Sequence, residues 1–124
     1  DSEFDVALSW SVICYGSRTE SQQSINEIFR VLKPGGSFIG LLESADHTAF
    51  GQPGVEEIEP GTYRMPPDPR QSTSGVVMNF FTKEEVEKAL SQFIDISLGH
   101  RIVNLPPDMT RRVGQWFFHC KKPL

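Results

Sequence analysis

The 124-residue sequence has 38% hydrophobic and 23% charged residues and a formal charge of −4 at pH 7. This composition is that of an ordinary globular protein, which excludes a disordered chain and a small disulfide scaffold. Because acidic residues outnumber basic ones, the protein as a whole has no positive electrostatic field, so neither nucleic acid nor a membrane is expected as a partner. No stretch approaches the roughly 18 apolar residues of a membrane helix, and the N-terminus DSEFDV lacks a signal-peptide pattern. One cytoplasmic domain is therefore expected.

The first part of the chain predicts a strand, a helix and a second strand. FDVALSWSVICY, residues 4–15, is apolar on both alternating sets of positions, which predicts a strand covered on both faces, as in a parallel sheet. Residues 19–33 show the i, i+3, i+4, i+7 apolar spacing of an amphipathic helix, which Pro34 and the two glycines after it are expected to end. SFIGLL predicts another doubly buried strand. Residues 1–45 therefore predict a parallel, right-handed βαβ unit.

Residues 46–79 show little periodicity and contain five prolines and four glycines. Irregular connections of this length are uncommon in compact domains and usually act as lids or binding loops. The sequence therefore predicts a long loop or substrate-side insertion, with a short extended piece within residues 76–81.

Residues 80–124 predict a helix and an antiparallel strand pair. Thr82 followed by Glu85 forms a capping box, which predicts the start of a second amphipathic helix. An alternating strand follows, which Gly99 is expected to interrupt, and a Pro-Pro-Asp turn leads to a final apolar strand.

Residue types suited to catalysis or metal binding are few and dispersed. Cys14 and Cys120 lie in apolar stretches without metal-ligand spacing, which predicts two reduced, buried thiols. The three histidines show no HxH or HxxxH spacing, so no metal site is expected. His47, at the start of the irregular segment, is the best candidate for a general base, whereas His119 is expected to be partly buried in the last strand.

These segments in this order resemble the C-terminal half of a class I S-adenosylmethionine-dependent methyltransferase of the type 11 or 12 groups. In that family an FD-hydrophobic strand is the fourth of the sheet, and a helix ending in RVLKPGG leads into the fifth, as in this sequence. FTKEEVEKAL and the two last strands match the closing elements. The resemblance implies a single partial Rossmann-like α/β domain over residues 1–124, with sheet order 4-5-7-6 in family terms and helices on the faces. It also implies S-adenosylmethionine as cofactor and a small-molecule methyl acceptor.

The resemblance also implies a site at the carboxyl ends of the first two strands, where ligands collect in open α/β sheets. The residues expected on the cofactor side are Ser9, Trp10 and Ser11. The residues expected toward the substrate are Tyr15, Glu43 and His47. Two alternatives stay open, since Trp10 and Tyr15 would also suit a core, and Glu43 would also suit a solvated loop entry. Because methyl transfer is a direct displacement that depends on alignment, the sequence identifies no catalytic residue.

The family's glycine-rich GxGxG turn, which binds the methionine part of the cofactor, is absent from these 124 residues. The expectation is a methyltransferase fragment that is inactive as the isolated chain. The alternative is a non-catalytic, self-associating binding module. In either case the first strand is expected to have an unpaired apolar edge, which favours a homodimer or a strand-exchanged oligomer. Half of a dehydrogenase-like nucleotide-binding sheet is disfavoured by the antiparallel terminal pair.

Overall fold

The computed structural model describes residues 1–70 and 74–124. The elements in chain order are β1 (Phe4–Trp10), α1 (Arg18–Val31), β2 (Leu32–Glu43), a 3₁₀ turn (Ala49–Gly51), β3 (Glu56–Glu59), β4 (Thr62–Arg64), β5 (Val77–Asn79), α2 (Lys83–Ala89), β6 (Ile94–Leu105) and β7 (Arg111–Lys121). One sheet has the order β1-β2-β7-β6, and a smaller sheet has the order β3-β4-β5. The partial Rossmann-like α/β fold and its predicted strand order are therefore confirmed.

The predicted βαβ unit is present, and β1 and β2 run parallel, with Leu8 opposite Ile39. The helix α1 begins with a capping box, in which the Ser17 hydroxyl accepts a hydrogen bond from the Glu20 backbone and the Glu20 carboxylate accepts one from the Ser17 backbone. Its apolar stripe buries Ile25 completely. The helix ends at Val31, two residues earlier than the sequence indicates.

The glycine pair does not end α1, contrary to the prediction, because Gly35 and Gly36 already belong to β2. A Cβ added to Gly36 would lie 2.8 Å from the Lys33 carbonyl oxygen and 3.1 Å from the Asp5 carbonyl oxygen. The second glycine therefore permits the close approach of β1 to the beginning of β2.

Both helices pack against the same face of the four-stranded sheet, and this interface forms the main core. The buried cluster joins side chains of α1, α2 and the segment after α2 to strand residues that share one face: Ile25, Val86, Leu90, Phe93, Phe38, Leu42, Phe118 and Cys120. Phe38 contacts Phe118 edge to face, with ring centroids 5.0 Å apart. Phe38 and Cys120 are opposite residues of β2 and β7, so they point to the same side.

The other face of this sheet carries no helix from the described residues. The prediction that β1 is covered on both faces is therefore wrong for this chain, as is its predicted length, because β1 ends at Trp10. Its alternate apolar residues are 52–68% exposed: Phe4, Val6, Leu8 and Trp10. Exposure continues on the same face at Ile39 and Phe117. His119 is also exposed here rather than partly buried, and its Nε2 lies 3.0 Å from the Ser37 hydroxyl.

In the residues that the structure describes, 46–70 and 74–79, this segment is not a long structureless loop. It contains the 3₁₀ turn and the sheet β3-β4-β5, and the expected extended piece is β5. A second core holds this sheet to the loop after β1, through Cys14, Met65, Met78 and Phe80. Strands of three or four residues are too short for a clear alternating pattern, which explains why the sequence did not reveal them.

The strands β6 and β7 form the predicted antiparallel pair, but Gly99 does not interrupt β6. It lies opposite Phe117 in a continuous ladder, and a Cβ added to it would be 2.4 Å from the Phe117 ring. The glycine therefore makes room for an aromatic side chain from the neighbouring strand. The predicted capping box of α2 is confirmed, with Thr82 and Glu85 exchanging both hydrogen bonds.

None of the helices in the described part of the chain combines the length and apolar character needed to cross a bilayer.

The two cysteines are free and buried, as predicted. Burial raises the pKa of both Cys14 and Cys120 from 9.0 to about 12, with a smaller contribution from the nearby Glu43 carboxylate at Cys14. We expect negligible reaction with a disulfide reagent at pH 8 in the native state, and two reactive thiols per chain after unfolding in urea. Rapid labelling of the native chain would contradict this burial.

The same shift sets a pH dependence of stability. The pKa of each folded thiol is raised above its unfolded value, so its contribution is fully present below the unfolded pKa, near 9.0, and is lost as pH rises toward about 12. Urea unfolding should therefore give a lower free energy at pH 10 than at pH 8, and a Cys120→Ser variant should lose part of this difference.

Candidate functional site

The carboxyl ends of β1 and β2 lie side by side at one edge of the four-stranded sheet. β1 ends at Trp10, and β2 ends at Glu43. Immediately after β1, Ser11 adopts φ 57°, in the left-handed region that a non-glycine residue rarely occupies. Backbone strain of this kind persists only where the surroundings hold it, and it is frequent at functional sites. The end of β1 is thus a constrained turn that faces the end of β2.

Glu43 is the centre of a polar cluster at this edge. Its side chain is buried, and Oε1 accepts hydrogen bonds from the Ser11 hydroxyl at 3.2 Å and from the Gln115 amide at 3.3 Å. Its other oxygen, Oε2, lies 3.4 Å from His47 Nε2. A buried carboxylate is tolerated because these partners replace its lost hydration. The cluster ties the turn after β1 and the start of segment 46–79 to β2 and β7.

The contacts of His47 assign its tautomer. Nδ1 accepts a hydrogen bond from the Ala49 backbone N–H at 3.0 Å, so the ring proton of the neutral imidazole is on Nε2, which lies 3.4 Å from Glu43 Oε2. The ring also packs on Phe80, with centroids 5.2 Å apart. Because Nδ1 already accepts a hydrogen bond and Nε2 carries the ring proton, neither nitrogen offers a free lone pair to accept a proton from a substrate. This geometry suits a residue that holds the segment in place.

Tyr15 lies further from the cluster and faces the small sheet. It forms an isolated antiparallel bridge with Met78 of β5, and it is 44% exposed. Partial burial raises its pKa, with smaller contributions from Cys14 and Glu43. The phenol therefore stays protonated at neutral pH and is available as a hydrogen-bond donor at the junction of the two sheets.

Trp10 projects from the uncovered face beside the cluster. It is 52% exposed, so the alternative that it fills the core does not apply in this chain. With Ile39, Phe117 and His119 it lines a shallow hollow of about 420 Å³. Ser9 is half-buried and points to the opposite, helix-covered face, because successive strand residues alternate.

Of the six residues expected from the sequence, the structure thus brings Ser11, Glu43 and His47 into direct contact. The partner Gln115 was not foreseen, because 72 positions separate it from Glu43 and only the register of β2 with β7 joins them.

A second unforeseen contact lies beside the cluster on the helix-covered face. His100 Nε2 is 2.8 Å from the Ser44 hydroxyl, and its ring stacks on Trp116 with centroids 3.8 Å apart. Within residues 1–70 and 74–124, no group of three His, Cys, Asp or Glu side chains is arranged to hold a metal ion.

We expect Glu43→Ala to lower the free energy of unfolding by about 1–3 kcal/mol, because it leaves Ser11 and Gln115 without their shared acceptor. Glu43→Gln keeps one acceptor oxygen and should cost less. Urea unfolding measures the free energy of unfolding of both variants, and Glu87→Ala, at an exposed position on α2, is the control. Equal stability of the Glu43→Ala and Glu87→Ala variants would show that the cluster does not support the fold.

Comparison with protein families gives one match, in which residues 1–40 fit a family described as a methyltransferase domain. These residues cover β1, α1 and most of β2. None of the curated proteins compared with the chain matches it.

Several of the similar solved structures are described as methyltransferases. An S-adenosylmethionine-dependent methyltransferase from Methanosarcina mazei is 22% identical with a TM-score of 0.71, covering 100% of this chain and 61% of that one. The 1,6-didemethyltoxoflavin-N1-methyltransferase of Burkholderia thailandensis, solved with 1,6-didemethyltoxoflavin and S-adenosylhomocysteine, is 15% identical with a TM-score of 0.61, covering 99% and 45%. A possible histamine N-methyltransferase from Thermotoga maritima is 15% identical with a TM-score of 0.62, covering 98% and 57%.

The chain therefore spans 45–61% of the length of these three proteins. The strand order, the parallel β1-β2 pair and the match over residues 1–40 agree with one another. The chain has a class I methyltransferase-like fold, and the resemblance predicted from its sequence is confirmed.

Proposed function

We propose that this chain supplies one wall of the cofactor site and the acceptor side of an S-adenosylmethionine-dependent methyl transfer site that acts on a small molecule. The observation that carries the proposal is the cluster of Ser11, Glu43 and His47 at the carboxyl edge of the parallel strands. Ligands of open α/β sheets bind outside this edge. The family match over residues 1–40 and a similar structure that binds S-adenosylhomocysteine support the proposal.

The polar cluster acts by positioning rather than by proton transfer. When bound, S-adenosylmethionine supplies an electrophilic methyl group on its sulfonium. Transfer by direct displacement depends on the distance and line of approach, so a rigid wall contributes more than an acid or base. Glu43 holds Ser11 in its constrained turn, and His47 fixes the start of segment 46–79 against the same carboxylate. Together they fix where the cofactor side and the acceptor side meet.

The residues present fit one wall of the cofactor site. Ser11 and the backbone of the turn offer polar groups, and the exposed Trp10 ring offers a flat apolar surface. The Glu43 oxygens are already engaged, so this carboxylate does not suit the ribose hydroxyls. The 124 residues also contain no GxGxG turn. We therefore propose that the isolated chain neither binds S-adenosylmethionine tightly nor catalyses transfer.

The small sheet forms the acceptor wall in this proposal. Its core is aromatic, with Phe50 stacked on Tyr63 at a centroid distance of 5.0 Å and an interplanar angle of 13°. The Tyr15–Met78 bridge joins it to the turn after β1. An acceptor held here would lie between this sheet and the Ser11 turn, which suits a small molecule better than a macromolecule.

Calorimetric titration with S-adenosylmethionine tests the proposal in two proteins. The isolated chain should show no saturable heat. A chimera in which this chain replaces the matching segment of the Methanosarcina mazei protein should bind, because the rest of that domain completes the site.

A Trp10→Ala chimera should bind more weakly, and a Phe117→Ala chimera serves as the control for an exposed aromatic further from the strand end. Micromolar binding by the isolated monomer, or a folded chimera that does not bind, would contradict the proposal.

A second candidate is a binding module without chemistry. The observation that favours it is the row of exposed apolar side chains on β1, including Leu8 at 68% exposure. Exposed apolar strips of this kind mark interaction surfaces. A folded chimera without cofactor affinity, together with stable self-association of the chain, would favour this candidate over the first.

A further inference from the structure

We propose that Gln115 is a positioning residue for the cofactor wall, and that Arg101 sets the orientation in which its amide acts. The side chains of Ser11, Glu43, Gln115 and Arg101 form one hydrogen-bonded line across the four-stranded sheet, which we call the polar row. The proposal rests on the proposed function, because it concerns how the same Ser11 turn is held. It adds two residues of β6 and β7 that do not lie at the strand ends themselves.

The registers of three strands place the polar row on one face of the sheet. Glu43 lies opposite Gln115 in the antiparallel pair β2–β7, and Gln115 lies opposite Arg101 in the pair β6–β7. Opposite residues of antiparallel strands point to the same side with Cβ atoms about 5 Å apart, so these three side chains are neighbours. Ser11 follows the last paired residue of β1, and its hydroxyl donates to Glu43 Oε1 at 3.2 Å. Every contact of the row is therefore made within this chain.

The donors and acceptors of the polar row fix the orientation of the Gln115 amide. A guanidinium group only donates, and Arg101 Nη2 donates to Gln115 Oε1. A carboxylate only accepts, and Gln115 Nε2 donates to Glu43 Oε1 at 3.3 Å. Both neighbours therefore require the same orientation of the amide. The charge of Arg101 also polarises the amide, which strengthens its donation to Glu43.

The polar row leads from solvent to the constrained turn after β1. Arg101 is exposed, Gln115 is half-buried and Glu43 is buried. The same oxygen of Glu43 accepts from Gln115 and from Ser11, so a displaced Gln115 side chain changes where this oxygen meets the Ser11 hydroxyl. The φ of 57° at Ser11 persists only while its contacts hold it. The row therefore holds the Ser11 turn in the conformation that faces the cofactor.

Gln115→Glu tests the polar row, because it acts in opposite ways at the two ends. The new carboxylate still accepts from Arg101, but it cannot donate to Glu43 and places a like charge directly opposite. In the isolated ¹⁵N,¹³C-labelled chain, the amide–Hα coupling and the ¹³C shifts of Ser11 should lose the values of a left-handed residue. Gln23→Glu, at an exposed position on α1, makes the same change and should preserve them. Unchanged Ser11 signals in Gln115→Glu would overturn the proposal.

Two variants of Arg101 test the row without adding charge beside Glu43. Arg101→Met removes the donor to the Gln115 amide oxygen and should move the Ser11 signals in the same direction as Gln115→Glu does. Arg101→Lys keeps a cation that only donates, so it should restore the signals of the unsubstituted chain. Unchanged Ser11 signals in Arg101→Met, or equal changes in the two variants, would overturn the proposal.

Affinity in the chimera with the Methanosarcina mazei protein separates this proposal from the proposed function. Gln115→Glu should raise the dissociation constant for S-adenosylmethionine at least about fivefold, the factor that one hydrogen bond contributes. Unchanged affinity in this variant, although its Ser11 signals have moved, would overturn the link between the polar row and cofactor binding. A folded, unsubstituted chimera that does not bind would instead overturn the proposed function, and the Ser11 signals of the isolated chain would still decide on the row.

Discussion

Gly114→Ala is expected to lower the free energy of unfolding by about 3 kcal/mol or more, which is at the upper end for overpacking. A Cβ at this position would lie 2.0 Å from the carbonyl oxygen of Asp46 and 3.1 Å from the Ser44 Cβ. The obstructing atom belongs to the backbone, so no side-chain rotation relieves the clash. The Gly114 carbonyl oxygen also accepts a hydrogen bond from the Ser44 backbone N–H at 2.9 Å. Two residues earlier on β7, the Arg112 carbonyl oxygen accepts one from the Thr48 backbone N–H at 3.0 Å. The substitution would therefore separate segment 46–79 from β7.

Urea unfolding followed by tryptophan fluorescence measures this effect, since Trp116 lies two residues away on the same strand. Gly51→Ala is the matched control, because a Cβ there meets no atom within 4 Å. Its effect should stay within about 0.5 kcal/mol. If the two alanine variants were equally stable, the close approach of Asp46 to β7 would be wrong, and so would the position of His47 beside Glu43.

Asn79→Ala is the second substitution with a large expected effect, about 2–3 kcal/mol. Asn79 is fully buried, and its amide nitrogen directs its two hydrogens at three acceptors, the carbonyl oxygens of Cys14 and Gly16 at 3.1 and 3.0 Å and the Ser21 hydroxyl at 2.8 Å. The Ser21 hydroxyl in turn donates to the Ile13 carbonyl oxygen at 2.5 Å. Removing the amide leaves buried acceptors without a donor and loosens the loop between β1 and α1.

Two readouts separate a local from a general effect of this substitution. Denaturant unfolding gives the loss of stability, and hydrogen exchange should show faster exchange for residues 13–17 than for the β6–β7 ladder. Asn104→Ala, at an exposed position on β6, is the control and should change neither. Unchanged exchange at residues 13–17 in the Asn79→Ala variant would mean that this amide does not hold the loop.

The sequence predicted those parts of the fold that depend on local patterns. The alternating apolar strands and the Thr82 capping box each appear in the structure, because periodicity and capping act over a few residues. The role of the glycine pair was misassigned for the same reason. Gly36 is required by its contact with Asp5, 31 positions away in the chain, and a local reading sees only the helix before it.

Burial and the site contacts were less predictable, because both depend on which segments of the chain pack against one another in the folded structure. An apolar pattern in β1 indicates an apolar face, but it does not say whether a helix lies on that face. The strand-end residues Ser11 and Glu43 followed from the general position of ligands in α/β sheets. Their hydrogen bond requires the parallel register of β1 with β2, and Gln115 requires the register of β7 as well. The role of the two His47 ring nitrogens follows only from the positions of the Ala49 backbone N–H and the Glu43 carboxylate in the structure.

The central claim is that the carboxyl ends of β1 and β2 form one wall of a cofactor site. Chemical-shift mapping of the ¹⁵N-labelled chimera with S-adenosylhomocysteine tests it most directly. The largest shifts should fall on residues 9–11 and 43–47 and spare the β6–β7 turn. Shifts confined to the groove between α1 and α2, around Gln22 and Lys88, would contradict the claim.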